Sequence, residues 1–301
     1  MKRVKRCLSV FGLTALLVCT VSLSGCSSAS TSASSAVPAS SGEAVSAASS
    51  STAKKVLKIG SDCAGAPFVW TQSDNSSGAV PISGTPLYAN GYDIMMAKKI
   101  CDENGWQLEL DKIDWDGLPT AVTSGKIDAF IGGVSITKER EKTMDFTHVY
   151  YKADLTPIVK KGSKYAGAKS LADLKGCSAT SQQNTIWYDK LKQIPGATVQ
   201  PGLPDCNSVV VAVSSGKADV AVVDKPTAMA AVYTNKDLVM VTLDPAKGFQ
   251  VTDEDVDLGI PVRKGENDIL NGMNKLLDKL SESDRENIMK QAIKVQPINQ
   301  G

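Results

Sequence analysis

Histidine is nearly absent. His148 is the only one, and aromatic residues make up 5% of the chain. One histidine leaves little material for acid–base pairs or histidine-bound metals. No G-x-S-x-G elbow, no P-loop and no tight cluster of metal ligands occurs. An excess of one charge is missing too, with 33 Lys and Arg against 32 Asp and Glu. The formal charge of +1 gives no electrostatic case for nucleic acid, which needs a basic face. Beyond the first 25 residues no run is long and apolar enough to span a bilayer. Past Cys26 there are four cysteines, Cys63, Cys101, Cys177 and Cys206, and none has zinc-site spacing. Four cysteines allow three pairings. One disulfide and four buried free thiols both fit.

What is present starts with a basic cluster, Lys2, Arg3, Lys5 and Arg6, and an apolar segment from Cys7 to Leu23. This reads as a secretory signal over residues 1–25. Without its four basic residues the charge of +1 becomes −3. The segment ends Leu23-Ser24-Gly25-Cys26, which resembles the lipobox of bacterial lipoproteins. The resemblance implies acylation of Cys26. An ordinary signal with a chance cysteine and an uncleaved anchor are the other readings. Residues 27–53 are almost all Ser, Ala, Thr and Gly, with no large apolar residue for a core. Residues 26–55 therefore read as a lipidated cysteine and a disordered tether. A lipid and a tether would hold a domain beside a membrane.

From Val56 onward strand and helix patterns alternate, as in an α/β domain. Val56 to Asp62 reads as a strand, followed by a loop to Asn90 that is rich in Gly, Ser and Pro beyond Thr71. Tyr92 to Asn104 reads as a helix, with Ile94, Met95, Ala97 and Ile100 at core spacing. Gln107 to Ile113 is a strand, and Leu118 to Ser124 a helix. Tyr151 to Lys161 is a long β-like segment. A second alternating set runs from Ser170 to Leu243. It takes in helix SLADLKG, helix TIWYDKLKQI and strand KADVAVVD. The strand LGIPVRK, an amphipathic helix from Ile269 to Leu280 and a short last helix close the chain. AVTSGKIDAFIGG at Ala121 echoes AVSSGKADVAVVD at Ala212, which suggests two α/β units of related build.

The stretch Ser124 to Arg140, SGKIDAFIGGVSITKER, combines a buried strand, a Gly132-Gly133 turn and a helix start. Thr137 is the expected N-cap of a helix through Met144. Arg140 falls in its first turn, where a cation opposes the helix dipole. Two readings follow. Arg140 holds an anion such as a carboxylate, or it pairs with Asp145 or Glu141 on the surface.

The motifs LKIGSDCAGAPF, GYDIMMAKKI, IDWDGLPTAVTSGKIDAFIGGVSITKEREKTMDFTHVYY, KSLADLKG, SSGKADVAVVDKPTA and LGIPVRKGEN resemble bacterial extracellular solute-binding proteins of family 3. Those proteins deliver polar amino acids to ABC transporters. The resemblance implies a two-lobed periplasmic-binding-protein fold of type II, with two crossing segments and a cleft between the lobes. Lobe one would take residues 56–153 and 248–301, and lobe two 154–247. Arg140 of the S-I-T-x-x-R motif would grip the ligand α-carboxylate, with Ser135 beside it and Gly133 offering backbone. Asp224 would accept the ligand ammonium, or simply cap the helix before Pro226. Thr185 would donate to the carboxylate from lobe two. Asp62 is a further expected ligand contact. The family's aromatic two residues before its Pro-Phe pair is replaced by Gly65, so Phe68, Trp70 or Trp115 would take over, each also a natural core residue. Gln182, Gln183 and Asn184 replace a glycine-rich loop; either their amides read a polar ligand side chain, with Gln183 the expected contact, or they only satisfy backbone.

The expected function is a lipid-anchored extracytoplasmic receptor. It would be a monomer that takes no cofactor or metal and catalyses nothing, and would bind an amino acid and pass it to an ABC permease. Two alternatives stand beside it: a dehydratase-like enzyme on the same fold, and an amino-acid-sensing lipoprotein without transport.

Overall fold

The computed structural model describes residues 54–297. The signal segment, Cys26 and the tether lie outside the described residues. Two five-stranded sheets organise the rest into two lobes. The first has the order Gln107–Lys112, Val56–Ser61, Ala129–Phe130, Pro261–Arg263, Met144–Phe146. Val56–Ser61 is parallel to both of its neighbours. On one face Leu57, Ile59 and Leu110 pack with Ile94, Ile100 and Met273 of the helices Tyr92–Asn104 and Asn267–Leu277. On the other, Leu118 and Val122 of the helix Leu118–Thr123 cover Ile127 and Phe130. The second sheet has the order Thr198–Val199, Ser178–Thr180, Val220–Asp224, Leu155–Lys160, Leu238–Met240. Every residue of Val220–Asp224 is buried, as its unbroken apolar run requires when both faces are covered.

A three-stranded strip, Tyr151–Lys152, Asp257–Gly259 and Val134–Ser135, lies beside these sheets. The chain passes from the strip into the second sheet at Ala153 and Asp154. It returns between Leu238–Met240 and Asp257–Gly259. The internal echo is visible in the backbone. Gly125 and Gly216 both have φ of 79° and end a helix the same way. Lys126 and Lys217 then donate to the carbonyls of Ala121 and Ala212, at 3.0 and 2.9 Å.

Four expectations change. The stretch before Asn90 is not a plain loop but a small sheet of Ala64–Gly65, Val69–Gln72, Tyr88–Asn90 and Val80–Pro81. Trp70 and Ile82 anchor it in the core, and the Asn90 amide donates to the Ser77 carbonyl at 3.2 Å. The helix after Thr137 stops at Glu141. Buried Met144 then pairs as a strand with Arg263. SLADLKG makes only a 3₁₀ turn, Leu171–Leu174, which Ser170 and Asp173 cap reciprocally. The last helix, Glu282–Val295, has 14 residues and is not short. The four cysteines are free thiols, and Cys63, Cys101 and Cys177 are buried. Among the described residues no helix is long and apolar enough to cross a membrane.

Candidate functional site

Strand ends deliver the candidate side chains to one place. Asp62 follows Val56–Ser61, Gly133 follows Ala129–Phe130, and Asp224 ends Val220–Asp224. Carboxyl ends of strands in open α/β sheets are where crevices form. Asp62, Phe68, Trp115, Gly133, Ser135 and Arg140 from one side line one cavity with Thr185 and Asp224 from the other. Gln182, Trp187 and Cys206 line it too.

Arg140 is half-buried and points across the cleft, not outward. Its Nη1 donates to the Ser135 carbonyl at 2.8 Å, and its Nη2 to the Asn184 carbonyl at 3.3 Å. Asp145, a candidate surface partner, instead accepts from Lys264 at 3.2 Å and from the Gly265 N–H at 2.7 Å. Burial pulls the Arg140 pKa below its ordinary value. Thr137 caps the short helix through the Arg140 N–H at 3.2 Å, which fixes where the side chain starts.

Asp224 is both a cap and a cavity wall. Its Oδ1 accepts the Thr227 N–H and its Oδ2 the Thr227 hydroxyl, each at 2.7 Å. Burial raises its carboxyl to about 6 against those two donors. Asp62 is also raised to about 6, by burial first, although the Ala64 N–H at 3.2 Å favours its charged form. The cavity thus brings two reluctant carboxyls to face one guanidinium.

The remaining expected residues divide by what they touch. The Ser135 hydroxyl lies 3.4 Å from the Asp255 carbonyl. Thr185 caps the helix Ile186–Lys190 through the Tyr188 N–H and donates to the Gln182 carbonyl at 2.7 Å. Phe68 is buried edge-on against Tyr92 and Tyr151, so it serves core and cavity together. Trp115 sits at the cavity edge above Gly132, and Trp70 stays in the core. Gln183 departs from expectation. It is not part of the cavity lining, because its amide reaches Asp116 at 2.5 Å, and its neighbour Gln182 faces the cavity instead. The Gly133 N–H is taken by the Tyr150 hydroxyl at 3.0 Å.

That last bond exposes a pair the motifs do not mark. Tyr150 donates to Asp93 Oδ1 at 2.9 Å while accepting from Gly133. Burial, with Asp62 and Asp224 adding repulsion, pushes the Asp93 carboxyl up to about 8. Asp93 reads in the sequence as an ordinary acidic residue in the first turn of a helix. No local signal ties it to a tyrosine 57 residues away.

Comparison with known proteins bears on the family and the fold. The family model for bacterial extracellular solute-binding proteins, family 3, matches residues 57–294. The arginine-binding extracellular protein ArtP of Bacillus subtilis (strain 168) is 28% identical over 239 residues, 78% of this chain and 84% of that protein. The solved substrate-binding protein AbpA of an amino acid ABC transporter from Streptococcus pneumoniae, bound to L-arginine, is 29% identical. It superposes with a TM-score of 0.64 over 80% of this chain and 94% of its own. An ancestral amino-acid-binding protein described as a precursor of cyclohexadienyl dehydratase is 28% identical, with a TM-score of 0.63 over 79% and 95%. With a match across residues 57–294 and the same two-lobed fold, this chain belongs to the bacterial extracellular solute-binding proteins of family 3.

Proposed function

We propose that the chain is a lipid-anchored extracytoplasmic receptor that binds a polar amino acid in the interlobe cavity and hands it to an ABC permease. One observation carries this reading: a guanidinium from one lobe and a carboxylate from the other line the same cavity, Arg140 and Asp224. An amino-acid zwitterion has the complementary charges, and Ser135, Gly133 and Thr185 surround them. Asp62 is a second carboxylate in the same wall. It favours a ligand with a further cationic or donor group, in keeping with the arginine named for ArtP and AbpA. The anchor rests on Leu23-Ser24-Gly25-Cys26, and labelled palmitate entering Cys26→Ala as well as wild type would refute it.

The enzyme alternative is favoured by the dehydratase precursor among the similar structures. Against it, His148 is exposed on the surface and held by Asp278 at 2.6 Å, apart from the cavity lining. Mass spectrometry of each amino acid after incubation with the chain distinguishes the two, since a binding protein returns its ligand unchanged.

Thermal-shift measurements on the full-length chain with the proteinogenic amino acids and cystine test the main reading. A ligand that binds only the folded state raises Tm. Isothermal titration of that ligand into Arg140→Ala and Asp224→Ala should then show losses of about one to three orders of magnitude. Wild-type affinity in either folded variant would reduce that residue to a surface ion or a cap.

A further inference from the structure

The loop that displaces Gln183 from the cavity makes a contact of its own. Asp116 lies in the 3₁₀ turn Trp115–Gly117, beside the tryptophan that edges the cavity. Gln183 and Asn184 belong to the opposite lobe, directly before Thr185. Asp116 Oδ2 accepts from Gln183 Nε2 at 2.5 Å, and Oδ1 accepts from Asn184 Nδ2 at 2.7 Å. A carboxylate only accepts, so both amides must present nitrogen to it. Two donors on one charged acceptor form a charge-assisted pair that spans the cleft.

The loop is built to hold this pose. The Gln183 N–H donates to the Leu203 carbonyl at 2.9 Å, and the Leu203 N–H to the Ser181 carbonyl at 3.0 Å. A Cβ at Gly202 would lie 2.8 Å from the Gln183 Cβ, so only glycine lets the backbones approach this closely. Asn184 has φ of 57°, a conformation asparagine tolerates and most side chains resist. Its carbonyl then receives Arg140 Nη2. The chain of contacts runs from Asp116 to Asn184 to Arg140.

We propose that Asp116 is a positioning residue: it latches Gln183 and Asn184 across the cleft mouth and, through the Asn184 backbone, holds Arg140 in place for a ligand. Asp116 and Asn184 are exposed, so water satisfies them when the lobes part. The contacts therefore favour the closed arrangement specifically, which is what a latch requires. Its loss should speed ligand release and leave capture alone. The effect on the ligand rests on the function proposed above; the latch between the lobes does not.

Two measurements on the full-length chain in detergent micelles test this, with Asp116→Ala, Asn184→Gly and the double variant. Hydrogen exchange without ligand comes first. Asp116→Ala should raise exchange about fivefold or more in residues 135–141 and in 183–190, on both sides of the cleft. A change confined to 115–118 overturns the latch. Stopped-flow tryptophan fluorescence with L-arginine as probe comes second. The dissociation rate should rise about tenfold, with the association rate within about twofold of wild type. The double variant should be no worse than the singles, because both remove one unit. Unchanged dissociation, or additive effects, overturns the proposal. If L-arginine gives no signal with wild type, the choice of ligand has failed, and the exchange data alone decide the latch.

Discussion

Tyr150→Phe should be one of the most damaging conservative substitutions in this protein. Tyr150 has no exposed surface. Phenylalanine keeps the ring and its tilted contact with Tyr92 at 5.7 Å, so no large cavity forms. What goes is one hydroxyl with two duties, donation to Asp93 Oδ1 at 2.9 Å and acceptance of the Gly133 N–H at 3.0 Å. Asp93 is fully buried, and its Oδ2 already lacks a partner. Each buried polar group left unpaired costs about 1–3 kcal/mol, so the two together should cost about 2–6 kcal/mol. A typical domain has only about 5–15 kcal/mol in hand. Urea unfolding of the full-length chain reads this as a lower midpoint with an unchanged m-value. Tyr92→Phe is the control. It removes a single bond, from the Tyr92 hydroxyl to the Tyr150 carbonyl at 2.7 Å, and should cost about half as much. A loss below about 0.5 kcal/mol for Tyr150→Phe would refute the reasoning, since Asp93 and Gly133 would then be satisfied without the hydroxyl.

Asp93→Asn should change how stability depends on pH. Burial raises the folded carboxyl to about 8, so the native state binds a proton that the unfolded state releases near 3.8. That contribution is fully present below the unfolded value and is lost as pH rises through about 8. Wild type should therefore weaken across this window. Asp93→Asn should gain relative to it progressively as pH rises from 3.8 to about 8 and keep that gain above, and parallel pH profiles would count against the assignment. Affinity for a ligand with a cationic group should move the other way, because burial raises Asp62 and Asp224 to about 6 and only their ionised forms attract a cation. Binding should strengthen by up to about tenfold per pH unit for each carboxyl through that range and level off above it, and a flat titration profile would exclude both as cation partners.

The parts of the fold legible in the sequence are those set by periodicity. The helix Tyr92–Asn104 has the bounds read from its apolar spacing, because Gly91 and Gly105 both take positive φ and punctuate it. At Gly91 no other residue fits, since a Cβ would lie 2.2 Å from the Phe68 carbonyl oxygen. The small sheet before Asn90 was hidden because strands of two to four residues carry no period, and here pairing and buried anchors such as Trp70 stabilise them. Arg140 was legible through its cap, Thr137. Gln183 was not, because the chain turns at Gln183 and Asn184, where no period sets which way a side chain points, and here Gln182 takes the cavity side. Asp93 and Tyr150 are 57 residues apart in the chain, so no local pattern marks the pair.

The balance of charge around the cavity ties these observations together. Asp62 and Asp224 line it, and Asp93 lies close enough for both to raise its carboxyl, whereas Arg140 is the one cation among the lining residues. Burial disfavours every one of these charges, so bringing them together carries an electrostatic cost. Neutral hydroxyls and N–H groups offset part of it, chiefly through Thr227 at Asp224 and Ala64 at Asp62. A ligand with a cationic group would relieve the rest, and its affinity would include that relief. The same logic explains the chemistry of the latch. A lysine or arginine opposite Asp116 would place a second cation at the mouth and compete with Arg140 for the ligand carboxylate. Two amides close the cleft without adding charge, and leave the field inside to be answered by the ligand.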